Sequence, residues 1–223
     1  PPAPASAATA SSAIARKMTA PVGVRDPFTL EALGRAAIPA VLVGCPTLFE
    51  PSGPVAAWKP AAGRRLVFSL SRVDIPGQLR MLLALRRRWE VSALVHEPYE
   101  RAILSAVPGI AVHAFESAPA FLGVLRAADA VVTGRLHAAL PAIRQGTRTV
   151  FFGDPSDTRL GLLTHLGVPI RPIPLAAALL ETLPELRAPD AAVFERVAVL
   201  RAAFVRYAAG YGIGIRGARS CGM

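Results

Sequence analysis

Short apolar runs alternate with helical segments from residue 64 onward, and this alternation constrains the fold more than any other feature of the chain. The runs are continuously apolar, which is typical of strands buried on both faces of a parallel sheet. The intervening helices supply the crossovers that such a sheet needs. We therefore predict an α/β fold with a Rossmann-like, doubly wound parallel sheet. The predicted strands span residues 66–70, 91–95, 110–112, 130–133, 149–152 and 168–173, and the predicted helices span residues 76–89, 98–106, 118–127, 136–144 and 158–166.

Composition divides the chain into four regions. Residues 1–50 contain too few predicted strands for a stable sheet of their own, so we interpret them as the remnant of an N-terminal α/β domain. Residues 51–63 form a linker rich in Pro, Gly and Ala. Residues 64–209 form the Rossmann-like C-terminal domain, closed by a helix at 190–209 that carries an apolar stripe. Residues 210–223 are glycine-rich and predict a flexible tail.

Composition also excludes several classes of protein. The chain has 223 residues, of which 52% are hydrophobic, so it can build a core and is not disordered. Its longest uncharged apolar runs, residues 36–49 and 172–180, contain proline and are shorter than the ~18 residues of a membrane span. Two cysteines, Cys45 and Cys221, predict neither a disulfide framework nor a metal centre. We expect a cytoplasmic protein, with contact at the inner face of the membrane as an open alternative.

The net charge of +10 favours an anionic partner. Only Lys17 and Lys59 are lysines among the 25 basic residues, so part of the excess reflects arginine in place of lysine as a surface charge. A nucleic-acid partner is not favoured, because only 6% of the residues are aromatic and no nucleic-acid-binding motif is present. The chain also lacks a Walker loop, a GxGxxG turn, a zinc signature and a GxSxG elbow.

The junction between the strand at 130–133 and the following helix carries the most informative candidates, Gly134, Arg135 and His137. Ligands of a doubly wound sheet bind at the carboxyl ends of the strands, where a helix N-terminus favours an anion. The guanidinium of Arg135 matches a carboxylate or phosphate, and the imidazole of His137 is a proton donor near neutral pH. Together they would hold and protonate a phosphorylated carboxylic acid. The alternative is that Arg135 forms a structural ion pair and His137 packs in its helix.

The next strand end repeats this geometry in a loop that contains Gly153, Ser156, Asp157 and Arg159. Gly153 permits close approach of a ligand to the backbone, and Ser156 and Asp157 are residue types that cap helices. A phosphate or sugar diphosphate would fit here, aided by Arg159. An ordinary helix capped by Asp157 is the favoured interpretation.

Two further histidines are interpreted as structural. His96 and Glu97 follow the strand at 91–95, and a lone His-Glu pair is more typical of a helix cap than of a catalytic dyad. His165 falls in the last turn of a predicted helix, where a cation suits the helix dipole.

Three segments together resemble the polysaccharide pyruvyl transferase family. They are VGVRDPFTLEALG at residues 22–34, DAVVTGRLHAALPAIRQGTRTVFFGD at 129–154 and SDTRLGLLTHLGVP at 156–169. The VRD element followed much later by RLHA is the specific part. The resemblance implies a two-domain fold like that of GT-B glycosyltransferases. It also implies transfer of the enolpyruvyl group of phosphoenolpyruvate to two sugar hydroxyls, which yields a pyruvate ketal and phosphate.

The resemblance also implies roles for individual residues. Arg135 would clamp phosphoenolpyruvate, and His137 would be the general acid or a phosphate ligand. Arg25 of the VRD element would reach the same anion from the other domain. Arg72 would contribute from the strand that ends in SLSR, where the family commonly has SLR, a difference of one position. The implied acceptor is a sugar of a cell-surface polysaccharide or of its lipid-linked or nucleotide-linked precursor, and no cofactor or metal is implied.

Length is the point at which the chain departs from the family. Members begin with a full α/β domain, and the opening glycine-rich turn of that domain is not visible in the first 63 residues. We therefore expect a missing N-terminal domain, and weak or no turnover by this chain alone. The alternative function is a non-catalytic anion-binding module of the same fold.

Overall fold

The N-terminal part of the chain forms a two-stranded parallel sheet of its own. The computed structural model describes residues 21–49, 58–59, 63–172 and 190–213. Strand β1 (Val22–Val24) pairs with β2 (Ala40–Leu42), and helix α1 (Pro27–Arg35) connects them. Helix α1 begins after Asp26, whose carboxylate accepts a hydrogen bond from the backbone N–H of Thr29 at 2.9 Å.

Six parallel strands form the main sheet, which confirms the α/β fold with a parallel sheet predicted from the sequence. They are β3 (Arg65–Ser69), β4 (Glu90–Val95), β5 (Ala111–Ala114), β6 (Ala130–Thr133), β7 (Arg148–Phe152) and β8 (Ile170–Arg171). Every residue of β6 and β7 is buried, as expected for inner strands covered on both faces. The strand order is β5-β4-β3-β6-β7-β8, so the direction in which strands are added reverses between β3 and β6.

Helices connect the successive parallel strands of the main sheet. They are α2 (Ile75–Leu85), α3 (Pro98–Ser105), α4 (Ala118–Ala127), α5 (Leu136–Arg144) and α6 (Gly161–Leu166). A crevice opens outside the carboxyl ends of the strands where the strand order of such a sheet reverses. The loop after β3 and the loop after β6 therefore border the expected ligand site.

The long C-terminal helix α7 (Ala192–Gly210) joins the small sheet to the main one. Its first half packs Val193, Val197 and Leu200 into a core cluster that includes residues of α5 and α6. In its second half, the ring of Tyr207 lies so close to β1 that a Cβ added at Gly23 would be 2.7 Å from it. The apolar stripe that the sequence predicts thus covers both sheets, which is why two short strands can persist beside the larger domain.

Several element boundaries agree with the sequence predictions and others differ. Helix α4, strand β6 and helix α5 have the predicted bounds. The predicted helix at 158–166 is instead a 3₁₀ turn at Thr158–Leu160 followed by α6, a common form of helix N-terminus. The predicted helix at 76–89 ends at Leu85, and the next residues form turns that lead into β4. Most of the predicted linker and the tail from residue 214 lie outside the described residues. Among the described helices, none is long and apolar enough to cross a membrane.

Candidate functional site

The loops after β3, β4, β6 and β7 border one cleft at the carboxyl edge of the main sheet. The cleft has a volume of about 950 Å³. Its lining contains more cationic than anionic side chains, so it favours an anion. The titratable lining residues are Arg25, Arg72, Arg135, Arg159, His96, His137, Asp154 and Asp157.

Arg135 bridges the two strands at which the strand order reverses. It is the N-cap residue of α5, and its Nε donates a hydrogen bond to the Leu70 carbonyl after β3 at 2.9 Å. Its Nη2 forms an ion pair with the carboxylate of Glu100. These bonds use two of the five N–H groups of a guanidinium. The structural ion pair considered as the alternative is therefore present, yet Arg135 also lines the cleft and keeps 21% of its side chain exposed.

Glu100 connects the residues after β4 to Arg135 at the cleft. Its side chain is fully buried in the first turn of α3, where it is the only acidic residue. One carboxylate oxygen accepts hydrogen bonds from the backbone N–H groups of His96 at 2.7 Å and Glu97 at 3.2 Å, and the other faces Arg135. Because a buried charge needs a partner, Glu100 and Arg135 fix one another. Glu100 could not be identified from the sequence, since its ionic partner Arg135 lies 35 positions away.

His137 stands at the start of α5 with its side chain exposed on the cleft wall. This placement rules out the alternative that His137 is packed in its helix. The first N–H groups of a helix have no partner within the helix and carry partial positive charge. An anion near His137 would therefore face the imidazole, the guanidinium of Arg135 and the N-terminus of α5 together.

His96 also lines the cleft, from the end of β4, and the sequence analysis did not assign it a functional role. Its Nε2 is 3.0 Å from the hydroxyl of the buried Ser69, and its ring meets Phe121 edge to face at a centroid distance of 5.6 Å. Burial lowers the pKa of His96, and the positive charge of Arg135 lowers it further. The neutral imidazole is therefore favoured.

The loop after β3 is held by a buried amide. Gln78 of α2 is fully buried and accepts a hydrogen bond from the Ser71 N–H at 2.7 Å. Its amide nitrogen donates to the Ser71 hydroxyl at 2.9 Å and to the Val73 carbonyl. Arg72, between them, is exposed on the cleft wall and pairs with Glu97 at 3.0 Å. Arg72 is thus brought to the same cleft as Arg135.

Arg25 reaches the cleft from the N-terminal part of the chain. Its Nη2 donates a hydrogen bond to the Arg159 carbonyl at 3.3 Å, and its Nε lies 3.7 Å from the carboxylate of Asp26. The loop after β1 and the loop after β7 therefore meet on one side of the cleft. Arg25 and Arg135 both line this cleft, and the expectation that Arg25 reaches the same anion as Arg135 stays a prediction.

The loop after β7 has the capped form that the sequence favours. Asp157 is the N-cap of the 3₁₀ turn and accepts hydrogen bonds from the Arg159 side chain at 2.9 Å and 2.6 Å. This bonding lowers the pKa of Asp157. The Ser156 hydroxyl donates to Asp154 at 2.7 Å, and Ser156 is not among the residues that line the cleft. Gly153, Asp157 and Arg159 do line it.

Position 134, between β6 and Arg135, requires a glycine. A Cβ added at this position would lie 2.6 Å from the ring of Phe152 and 2.7 Å from the Cβ of Ser71. Phe152 is buried in the core, so its ring has little room to move. The absence of a side chain at Gly134 lets the loops after β3 and β6 approach each other. In the described part of the chain, no three His, Cys, Asp or Glu side chains are grouped so as to hold a metal ion.

A comparison with known protein families shows to which family the chain belongs. The model of the polysaccharide pyruvyl transferase family matches residues 9–155, more than half of the sequence. The chain belongs to the polysaccharide pyruvyl transferase family. The resemblance proposed from the sequence is therefore confirmed. Of the candidate residues, the matched range contains Arg25, Arg72, Gly134, Arg135, His137 and Gly153, whereas Ser156, Asp157 and Arg159 lie beyond it.

Three solved structures similar to this pyruvyl transferase family member are named as glycosyltransferases or a glycotransferase. CalG4, the calicheamicin glycosyltransferase, is 24% identical with a TM-score of 0.47 over 78% of this chain and 46% of that chain. The glycotransferase of kitacinnamycin is 18% identical with a TM-score of 0.44 over 77% and 48%. SnogD from Streptomyces nogalater is 17% identical with a TM-score of 0.42 over 79% and 56%. The chain thus spans about half the length of each. A search of the curated proteins finds no match.

Proposed function

We propose that this chain transfers the enolpyruvyl group of phosphoenolpyruvate to a sugar of a polysaccharide, or of its lipid-linked or nucleotide-linked precursor, and so forms a pyruvate ketal. The observation that carries the proposal is the placement of Arg135 and His137 together at the N-terminus of α5, on a cleft where the strand order reverses. Membership of the family supports a polysaccharide-modifying transferase. The choice of phosphoenolpyruvate as donor and of a ketal as product rests on the charges of the cleft and on the chemistry argued below.

Recognition of the donor follows from its charges. Phosphoenolpyruvate presents a carboxylate and a phosphate, and both are matched by the planar donors of an arginine. Arg135 retains three N–H groups beyond those bonded to Leu70 and Glu100. Its orientation is fixed before the donor arrives, which reduces the entropy lost on binding. The N-terminus of α5 adds attraction for the phosphate.

Ketal formation needs a proton at the methylene carbon of the donor. In the first step a sugar hydroxyl adds to C2 while C3 takes a proton, and we assign that proton to His137 because its exposed imidazole stands beside Arg135 at the start of α5. In the second step the C2–O bond to phosphate breaks and a second hydroxyl adds to C2. The two hydroxyl protons balance the proton gained by C3 and the proton carried off by phosphate.

The acceptor would occupy the rest of the cleft. A volume of about 950 Å³ is at the upper end of ligand pockets and leaves room for a sugar beside the small donor. Arg25 and Arg159 line another part of the wall, joined by the hydrogen bond between them. We propose that these arginines face the acceptor or its diphosphate link, with Asp157 orienting Arg159.

Two measurements test this proposal, donor binding by calorimetry and phosphate release from phosphoenolpyruvate with sugar acceptors. Arg135→Ala should weaken donor binding at least about tenfold, since a hydrogen bond to a charged group contributes roughly 1.5–3 kcal/mol. His137→Ala should leave binding largely unchanged and slow turnover by about 10²–10⁴. Arg80→Ala, which removes an exposed arginine of α2 outside the cleft lining, is the matched control for net charge.

The outcomes separate the two candidate functions. Donor binding that depends on Arg135 together with phosphate release supports the transferase. Binding without phosphate release, both in this chain and in one extended upstream, would favour the non-catalytic anion-binding module. Equal donor binding by the Arg135→Ala variant and the unaltered chain would show that the site assignment is wrong.

A further inference from the structure

We propose that His96 is a second catalytic residue of the cleft and takes the proton of the first acceptor hydroxyl. The inference rests on the function proposed above and adds to it a residue for which the sequence suggested a different role. It is carried by the position of His96 on the cleft wall, by the contacts that fix its ring and by the proton count of the reaction.

The proton count calls for a base as well as an acid. When the first hydroxyl oxygen bonds to C2, the C2=C3 π electrons take a proton at C3, and the hydroxyl O–H bond must break. His137 cannot receive that proton while it is giving one to C3. An unprotonated group close to the same space is therefore needed. In the described cleft lining, hydrogen bonds from Ser156 and Arg159 lower the pKa of the carboxyl groups of Asp154 and Asp157, so these carboxylates are weak bases. The imidazole of His96 is the remaining candidate.

One backbone contact and two ring contacts position His96 at the cleft. The backbone N–H of His96 donates to Glu100, the same carboxylate that pairs with Arg135. Nε2 meets the hydroxyl of Ser69, a fully buried residue at the end of β3, and Phe121 packs edge-on against the ring. We assign the tautomer in which Nε2–H donates to the Ser69 hydroxyl, which leaves the lone pair of Nδ1 to accept the proton. One carboxylate thus positions both the anion-binding arginine and the base.

The charges around His96 favour its neutral form. Burial and the cation Arg135 lower its pKa, and His137 acts in the same direction. The carboxylates of Glu100 and Glu97 oppose this effect without overcoming it. His96 is therefore ready to accept a proton at neutral pH, and once protonated it is a strong enough acid to release the proton again.

With these assignments, the protons gained and lost over the full reaction balance. His96 receives the proton of the first hydroxyl and passes it to the departing phosphate as the C2–O bond to phosphate breaks. His137 gives its proton to C3 and recovers one from the second hydroxyl as that oxygen bonds to C2. Both imidazoles end in the protonation state in which they began, and no oxidant, reductant or metal is consumed.

The test compares His96→Gln with the unaltered chain, using calorimetry for phosphoenolpyruvate binding and phosphate release with sugar acceptors for turnover. Glutamine keeps a hydrogen-bonding group near the position of Nε2, so the contact with Ser69 persists while the titratable ring is lost. We expect donor binding within about a factor of three and a fall in kcat of at least about 100-fold. The acidic limb of the kcat/KM profile, which lies below the ordinary titration range of histidine, should disappear. His113→Gln, on β5 and outside the cleft lining, is the matched control and should change neither.

The possible results are distinguishable. Turnover of His96→Gln within a few-fold of the unaltered chain, or an unchanged acidic limb, would overturn the role of His96 and leave the proposed function standing. No phosphate release with any acceptor, by the unaltered chain and by one extended upstream, would overturn the proposed function and this inference with it. Should His96→Gln fail to bind the donor, His96→Asn replaces it, and a shorter amide that binds the donor and turns over normally would also refute the inference.

Discussion

Substitution of Gly134 by alanine is a sharp test of how the fold builds the cleft. The added methyl group would lie 2.6 Å from a Phe152 ring atom and 2.7 Å from the Ser71 Cβ, both closer than side-chain carbons pack. Neither neighbour can easily yield, because Phe152 is in the core and Ser71 is bonded to the buried Gln78. Forcing a methyl group into a well-packed site costs about 1–3 kcal/mol. For a chain of this length each kcal/mol lowers Tm by about 2–4 °C, so we expect a fall of roughly 2–12 °C.

The matched control is Gly123→Ala. Gly123 lies within α4, and a Cβ added there meets nothing within 4 Å. Alanine in a helix interior is favoured over glycine by about 0.5–1 kcal/mol, so this variant should be more stable than the unaltered chain. Thermal unfolding measures both variants, and calorimetry should show weaker binding of phosphoenolpyruvate by Gly134→Ala only, because Arg135 follows directly. Equal stability and equal donor binding by Gly134→Ala and the unaltered chain would refute the close approach of the two loops.

Three further predictions concern buried or half-buried polar groups. Lys59→Met should lower the free energy of unfolding by about 1–2 kcal/mol in urea titrations. The reason is that Nζ of Lys59 donates to the Arg126 carbonyl at 2.6 Å and to the Thr147 hydroxyl at 2.7 Å. An unchanged free energy of unfolding would contradict these bonds. Gln78→Leu should lower the free energy of unfolding by about 1–3 kcal/mol and speed hydrogen exchange in the loop after β3, since the Ser71 N–H loses its acceptor. Faster exchange confined to α2 would contradict this role of Gln78. The pKa of His96 is lowered in the folded state, so the unfolded chain binds more protons and stability should fall as pH drops through the histidine range. Urea midpoints across that range should fall less steeply for His96→Gln than for His113→Gln, and identical slopes would contradict the burial effect.

The main sheet could be predicted from the sequence because its elements repeat a local pattern. Strand β6 and helix α5 stand out as a continuous apolar run followed by an apolar helical face, and their bounds agree with the prediction. Strand β1 could not be predicted, since three residues show no periodicity and its partner β2 lies across α1. It packs against Tyr207, which is distant in the sequence.

In the candidate site too, some residues can be found from a local sequence pattern and others cannot. Arg135 and His137 were found because a strand end and a helix start are visible locally, and the reversal of strand order then places them at the crevice. The contacts of Glu100 and His96 could not be predicted, because their partners Arg135 and Ser69 belong to other strand ends. A buried ion pair between distant residues leaves no mark on the local pattern of either segment.

A crystal structure of the chain with phosphoenolpyruvate bound would test the central claim most directly. We predict that the carboxylate or phosphate of the donor accepts hydrogen bonds from Arg135, with its methylene carbon facing His137. Electron density for the donor elsewhere in the cleft, away from both side chains, would contradict the account.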